Sequence, residues 1–223
     1  MKNRDKILTA AKRLFNDHGF VNVRLQHISD DTIISVGNIA YHFKNKEAIV
    51  SHIFEELEQK QKDLLIEYRH TPIFANVDRI FSVLRELQEE YSFFYTDIVE
   101  IKRSYPLLFE KINQFFRYQV LLFEEIIRFN ISRGALLKEE TEQHTHFLAS
   151  LIIKHLSSWR TFSITWLENT NENLEAMSDS IWNILFPYMS KSGKEEYQIN
   201  KEQKVKIYPA DKIHESKSGQ KDL

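Results

Sequence analysis

The chain has 223 residues, 42% of them hydrophobic, with five glycines, four prolines, no cysteine and a formal net charge of −2. A chain of this length buries a sizeable core, its hydrophobic content predicts that most of it folds, and the absence of cysteine excludes a disulfide framework and thiol chemistry. Sparse glycine and proline beside abundant Leu, Ile, Phe, Glu and Lys predict an all-α fold. The N-terminal residues run straight into an amphipathic pattern, and no apolar run reaches the roughly 18 residues of a membrane span, so a cytoplasmic protein is expected. Charge is uneven. Residues 1–46 carry eight Lys/Arg against four acids, which leaves −6 for the remainder. A basic end on an acidic body suits a partner that bears phosphates.

Ile7, Leu8, Ala11, Leu14 and Phe15 form the apolar stripe of a first helix, which His18-Gly19 ends with glycine at a left-handed position. A second helix is predicted over about 24–31, with Leu25 and Ile28 inward. Its start is poorly marked: Val23 and Arg24 stand where Ser or Thr would cap, and Asn22 is the nearest candidate. Ser35 caps a third helix ending near His42, Phe43 closes the core, and Asn45 caps a fourth. Three short helices with a tight turn between the last two make a helix-turn-helix unit. There the second helix braces the third across the major groove, so small and polar residues of the third meet base edges. The candidate DNA-contacting residues are Arg24, Gln26, Ser35, Val36, Gly37, Asn38, Ala40, Tyr41, His42, Lys44 and Lys46. Gly37 admits close backbone approach to phosphate, and Asn38 both donates and accepts. Tyr41 and His42 bond phosphate oxygens, while Lys46 adds its charge to the free N–H groups opening the fourth helix.

The run Ile7-Leu8, Ala11, Leu14-Phe15, Gly19-Phe20, Ile28, Ser35, Gly37-Asn38-Ile39-Ala40-Tyr41-His42-Phe43 and Lys46-Glu47 resembles the DNA-binding domain of the tetracycline-repressor (TetR) family over about residues 4–55. The resemblance implies an all-helical regulatory domain behind the head, a homodimer on near-palindromic double-stranded DNA, and control by a small-molecule effector. Four places depart from the family pattern. Val23-Arg24-Leu25 replaces the threonines or serines that open helix two, and Ile33 stands where the turn often carries glycine. Val36 replaces a frequent lysine or other polar contact, and Ala40 the first tyrosine of a Tyr-Tyr-His-Phe run. Apolar contact with thymine methyls is one consequence. Weakened operator recognition is the other, which would leave a helical small-molecule-binding or adaptor protein of the same fold.

Downstream, the fourth helix continues through the polar run 55–63 and ends at Thr71-Pro72. Helices follow over about 75–92, 96–102, 106–133, 142–168 (capped by Thr141) and 174–189, with a turn at 169–173. The 106–133 pattern is apolar nearly all round, which marks a central helix. The last two helices carry more apolar surface than one face hides. Leu148, Ile152, Trp166, Met177, Ile181, Trp182 and Leu185 are therefore candidates for a four-helix seam with a second copy, as the resemblance also implies. The aromatic surplus suggests an effector pocket for a small apolar or aromatic molecule, with Tyr95, Tyr118, Phe123, His155, Trp159 and Phe162 as candidate walls, although aromatic stripes at helical spacing are also ordinary core. His144 and His146 lie about 200° apart on a helix and cannot chelate together. Neither a metal-ligand motif nor a catalytic one is present, so no cofactor and no enzyme activity are expected. The predicted organisation is a DNA-binding head at 1–46, a regulatory and dimerisation domain at 47–190, and a mobile polar tail at 191–223. The predicted function is a ligand-responsive transcriptional regulator, a repressor that releases its operator when the effector binds.

Overall fold

The computed structural model describes residues 2–68, 70–138, 142–166 and 177–207. The described residues are helical throughout, with a single antiparallel bridge between Leu136 and Met189. The head comprises α1 (Asn3–His18), α2 (Leu25–Thr32) and α3 (Val36–His42), and α4 (Lys46–Tyr68) leads away from it. Ile7, Ala10, Ala11, Leu14 and Phe15 bury the inner face of α1. Gly19, at φ 80°, ends that helix and returns its N–H to the Phe15 carbonyl at 3.0 Å. Asn22 does not cap α2. Its amide donates to the His18 carbonyl at 2.8 Å and so completes the end of α1. The start of α2 is held instead by His27, whose Nδ1 accepts the Arg24 N–H at 3.3 Å.

Behind the head lie α5 (Phe74–Glu90), the short α6 (Phe93–Thr96) and α7 (Ile98–Ser104), then α8 (Pro106–Ser132), α9 (Glu142–Trp166), α10 (Met177–Leu185) and α11 (Lys191–Ile207). Pro106 opens α8 in the first turn, where its missing N–H costs nothing. One apolar cluster runs without interruption from the head (Ile7, Phe15, Phe20, Ile39) through Ile53 and Leu57 to Tyr91, Phe93, Ile101 and Leu108. A second holds Phe74, Phe81, Phe123, Ile152, Ile181 and Trp182 together at the far end. Both clusters draw on α4, α5 and α8, so the head is seated on the regulatory helices through continuous packing.

The residues expected at a dimer seam are corrected by this packing. Leu148, Ile152, Met177, Ile181, Trp182 and Leu185 are all buried within the protomer and have no surface to share. Their apolar faces are covered by α5 and α8, which periodicity along single helices does not reveal. The face that α9 leaves uncovered carries Phe147, Leu151 and Phe162 instead. The side chain of Trp166, the cap at Thr141 and the turn at 169–173 lie outside the described residues.

The expected mobile tail is a second correction, because residues 191–207 form α11. Tyr197 packs 5.5 Å from the Trp182 ring, and Glu196 joins the Arg133 guanidinium at 2.6 Å while accepting the Phe74 N–H at 3.1 Å. Gly193 lies so close to the Ala135 backbone that a Cβ there would stand 2.0 Å from the Ala135 carbonyl oxygen. A helix of low hydropathy is thus held by four tertiary contacts that its own periodicity does not announce. Residues 208–223 lie outside the described residues.

Candidate nucleic-acid interface

Two local devices set the recognition helix. Ser35 caps α3, its hydroxyl accepting the Asn38 N–H at 3.3 Å. Ile33 ends α2 in the left-handed conformation, at φ 57° and ψ 30°, which turns the chain so that Ile34 and Ile39 enter the core. A left-handed residue with a branched Cβ costs roughly 1–2 kcal/mol relative to the right-handed default. Ile33 is nevertheless 94% exposed.

The predicted DNA-contacting residues fall largely on one outward strip. Arg24, Gln26, Ser35, Gly37, Asn38, Ala40, Tyr41 and Lys44 are exposed, and Val36 and His42 are half-buried. Tyr41 is 85% exposed, with its ring 5.3 Å from that of His42. Gln26 is engaged with Asp30 at 2.7 Å, and Asp31 is paired with Arg13, so the acidic end of α2 is already partnered. A Cβ placed on Gly37 would meet nothing within 4 Å. The protein's own packing therefore does not require glycine at this second position of α3.

Lys46 is the exception. Its ammonium donates to the Phe20 carbonyl and sits 4.2 Å from the centre of the Phe20 ring. Burial pushes its pKa down to about 8, against the opposing pull of the Asp97 carboxylate. Asp97, at the start of α7, accepts the Phe20 N–H at 2.6 Å. Both polar groups of the Phe20 peptide are thus held, the carbonyl from α4 and the N–H from α7. Lys46 belongs to the joint between head and regulatory helices, not to the outward strip.

A second joint lies beside it. The carboxylate of Glu90 takes hydrogen bonds from Lys12 and Lys60, and Asn16 donates to the Glu90 carbonyl at 2.9 Å while accepting the Phe93 N–H at 3.1 Å. Burial alone would raise the Glu90 pKa, but the two lysines outweigh it and hold the carboxyl below its ordinary value. Neither Asp97 nor Asn16 carries any sequence signal for this role, since their partners lie 74 to 77 residues away.

The six candidate effector residues do not converge on one pocket. Phe123 lines a small apolar cavity of about 20 Å³ with Phe81, Ile126, Ile152 and Trp182, where Asn130 is the polar wall. Tyr95 lies elsewhere, in a buried chain in which Gln119 donates to Gln61 at 2.7 Å and Gln61 to the Tyr95 hydroxyl at 3.1 Å. Burial raises the Tyr95 hydroxyl to about 12. His155 bonds Ser180 and lies 5.5 Å from the Trp159 ring, and burial lowers its pKa. Tyr118 and Phe162 are on the surface. Among the described residues, no group of three His, Cys, Asp or Glu side chains is placed to hold a metal ion, and no helix is long and apolar enough to cross a membrane.

Comparison with known proteins follows the same division of the chain. A family profile described as bacterial regulatory proteins of the tetR family matches residues 7–53, and one described as bacterial transcriptional repressor matches residues 66–197. The probable HTH-type transcriptional regulator YttP of Bacillus subtilis is 32% identical over 56 residues, a match covering 25% of this chain and 27% of that protein. Among solved structures, a TetR-family transcriptional regulator from Marinobacter aquaeolei superposes with a TM-score of 0.77 at 23% identity, covering 91% of this chain and 98% of that one. SmeT of Stenotrophomonas maltophilia, described as the repressor of a multidrug efflux pump, superposes with a TM-score of 0.62 at 19% identity over 86% and 93% of the two chains. At these identities the two structures establish a shared fold.

Proposed function

The chain belongs to the TetR family of DNA-binding transcriptional regulators, and from that premise we propose that it is a homodimeric repressor that releases a near-palindromic operator when a small apolar or aromatic effector binds. The observation that carries the DNA-facing part is the outward strip on α3, where Gly37 faces open space beside Asn38 and Tyr41, with Lys44 exposed just beyond the helix. In this reading α3 enters the major groove. Asn38 meets base edges, and Tyr41 and Lys44 bind phosphate. Repression is the activity named for SmeT and in the description of the profile that matches residues 66–197.

Dimerisation is supported by the uncovered strip of α9, where Phe147, Leu151, Ser158 and Phe162 follow one another at helical spacing. Two copies pairing along it would set two recognition helices one DNA turn apart, as a palindromic site needs. The effector is assigned to the apolar cavity beside Phe123 and Trp182, which would widen to admit an apolar molecule. Its effect on DNA would pass through α7, because Asp97 holds the Phe20 N–H. A ligand that favours one placement of α5 to α8 over another then shifts the spacing of the two heads.

Selection of bound duplexes from random DNA, followed by footprinting, tests this reading. A near-palindromic site protected on two adjacent major grooves is the expected result. Binding no tighter than to random DNA would leave a helical small-molecule-binding protein in its place.

A further inference from the structure

Ile33 is the one described residue other than glycine with a positive φ, and it is also the most exposed of the large apolar side chains. The left-handed turn itself has a structural reason, since it carries Ile34 into the core. The isoleucine does not. Glycine or asparagine adopts this conformation with less strain, and a side chain so exposed gains nothing from burial. In the free protein Ile33 is therefore a cost without a return.

The position narrows what could supply a return. Ile33 lies between α2 and α3, two residues before the cap Ser35 and three before Val36, at the leading edge of the recognition helix. An aliphatic side chain offers phosphate no hydrogen bond. On the major-groove edges of the base pairs, the apolar group is the thymine 5-methyl. Building on the DNA-binding reading above, we propose that Ile33 is a specificity-determining residue that packs against a thymine methyl in each operator half-site. Val36 and Ala40, four residues apart on α3, share one face of that helix and are apolar as well.

The test uses the full chain and a duplex that it selects from random DNA. Each thymine of a half-site is replaced in turn by deoxyuridine, which removes only the methyl group. At one thymine the wild-type affinity should fall about fourfold per half-site, the transfer preference of one buried carbon expressed as an affinity ratio. Ile33→Gly and Ile33→Asn should bind the thymine and uracil duplexes equally, with wild-type affinity for the uracil duplex, and should melt at a higher temperature than wild type. Wild-type indifference to every uracil replacement would overturn the proposal, as would variants that bind the thymine duplex as tightly as wild type does. In either case the protein still selects a sequence, so the DNA-binding reading stands. Failure to select any sequence would remove both.

Discussion

At Lys46, desolvation brings an ammonium whose ordinary pKa is 10.5 down to about 8 in the fold. Between those values the unfolded chain binds the proton more readily than the folded one, so stability rises with pH through that window. At neutral pH both states are charged, and the burial penalty is fully present. Urea unfolding at about pH 7.5 and about pH 9.5 should therefore show a gain for the wild type that Lys46→Met lacks. Equal pH dependence in the two proteins would place the ammonium in solvent. Gly37 makes a prediction of opposite kind. Gly37→Ala should stabilise the head by about 0.5–1 kcal/mol, because the added methyl meets open space in a helix. The same methyl should weaken operator binding if the α3 backbone approaches DNA. Higher thermal stability with undiminished affinity would show that glycine is not needed there. Most of the outward strip was legible in the sequence, because Ser35, Gly37, Asn38 and Tyr41 occupy a short helix whose buried positions follow from periodicity. Lys46 was not, since its acceptor, the Phe20 carbonyl, lies 26 residues away and carries no side-chain signal.

Among the long helices, α11 is the most polar, yet it makes some of the most specific contacts. Its N-terminal turn is bound to the α8–α9 connection, where Ser190 and Ser192 both donate to the Gly134 carbonyl and Gly193 presses on Ala135. Gly193→Ala forces backbone against backbone and should destabilise the protein by about 1–3 kcal/mol, the usual range for overpacking. Chemical denaturation reads it directly, and a change below a few tenths of a kcal/mol would mean that α11 is not docked here in solution. This helix escapes sequence reasoning because its hold on the body is polar and positional: a glycine at a close approach, a Glu196–Arg133 pair and one aromatic, Tyr197. The same limit explains the dimer residues. Leu148, Ile152, Ile181 and Trp182 are apolar at helical spacing whether they face a partner or the protomer's own core, and only the placement of α5 and α8 decides. By contrast α8 is plain from Pro106 onward, because a helix apolar on most faces has to be central.

For the molecule as a whole, the two apolar clusters share helices α4, α5 and α8, and polar joints at Phe20 and Glu90 fix the head to them. A change in how those helices pack therefore moves the head as a body. Asp97→Asn keeps an acceptor for the Phe20 N–H but removes the charge beside Lys46. It should leave the fold intact while reducing the loss of operator affinity that the effector causes, and titrations of the operator with and without effector measure that difference. An unchanged ratio would place the coupling elsewhere. The all-helical architecture and the helix-turn-helix head follow from composition and spacing alone, whereas the joints between head and body depend on residues too far apart in sequence to be paired by pattern.

The most direct test is the affinity of the full chain for its selected duplex across a series of salt concentrations, beside a random duplex and the Tyr41→Ala/Lys44→Ala double variant. A phosphate contact made by a cation contributes about −0.9 to the log–log slope. The wild type should show a steep slope and a clear preference for the selected duplex. In the double variant, affinity should fall for both duplexes alike, with a shallower slope and the preference retained. A wild type that binds both duplexes equally, or a double variant with unaltered affinity and slope, would contradict the assignment of the α3 face to DNA.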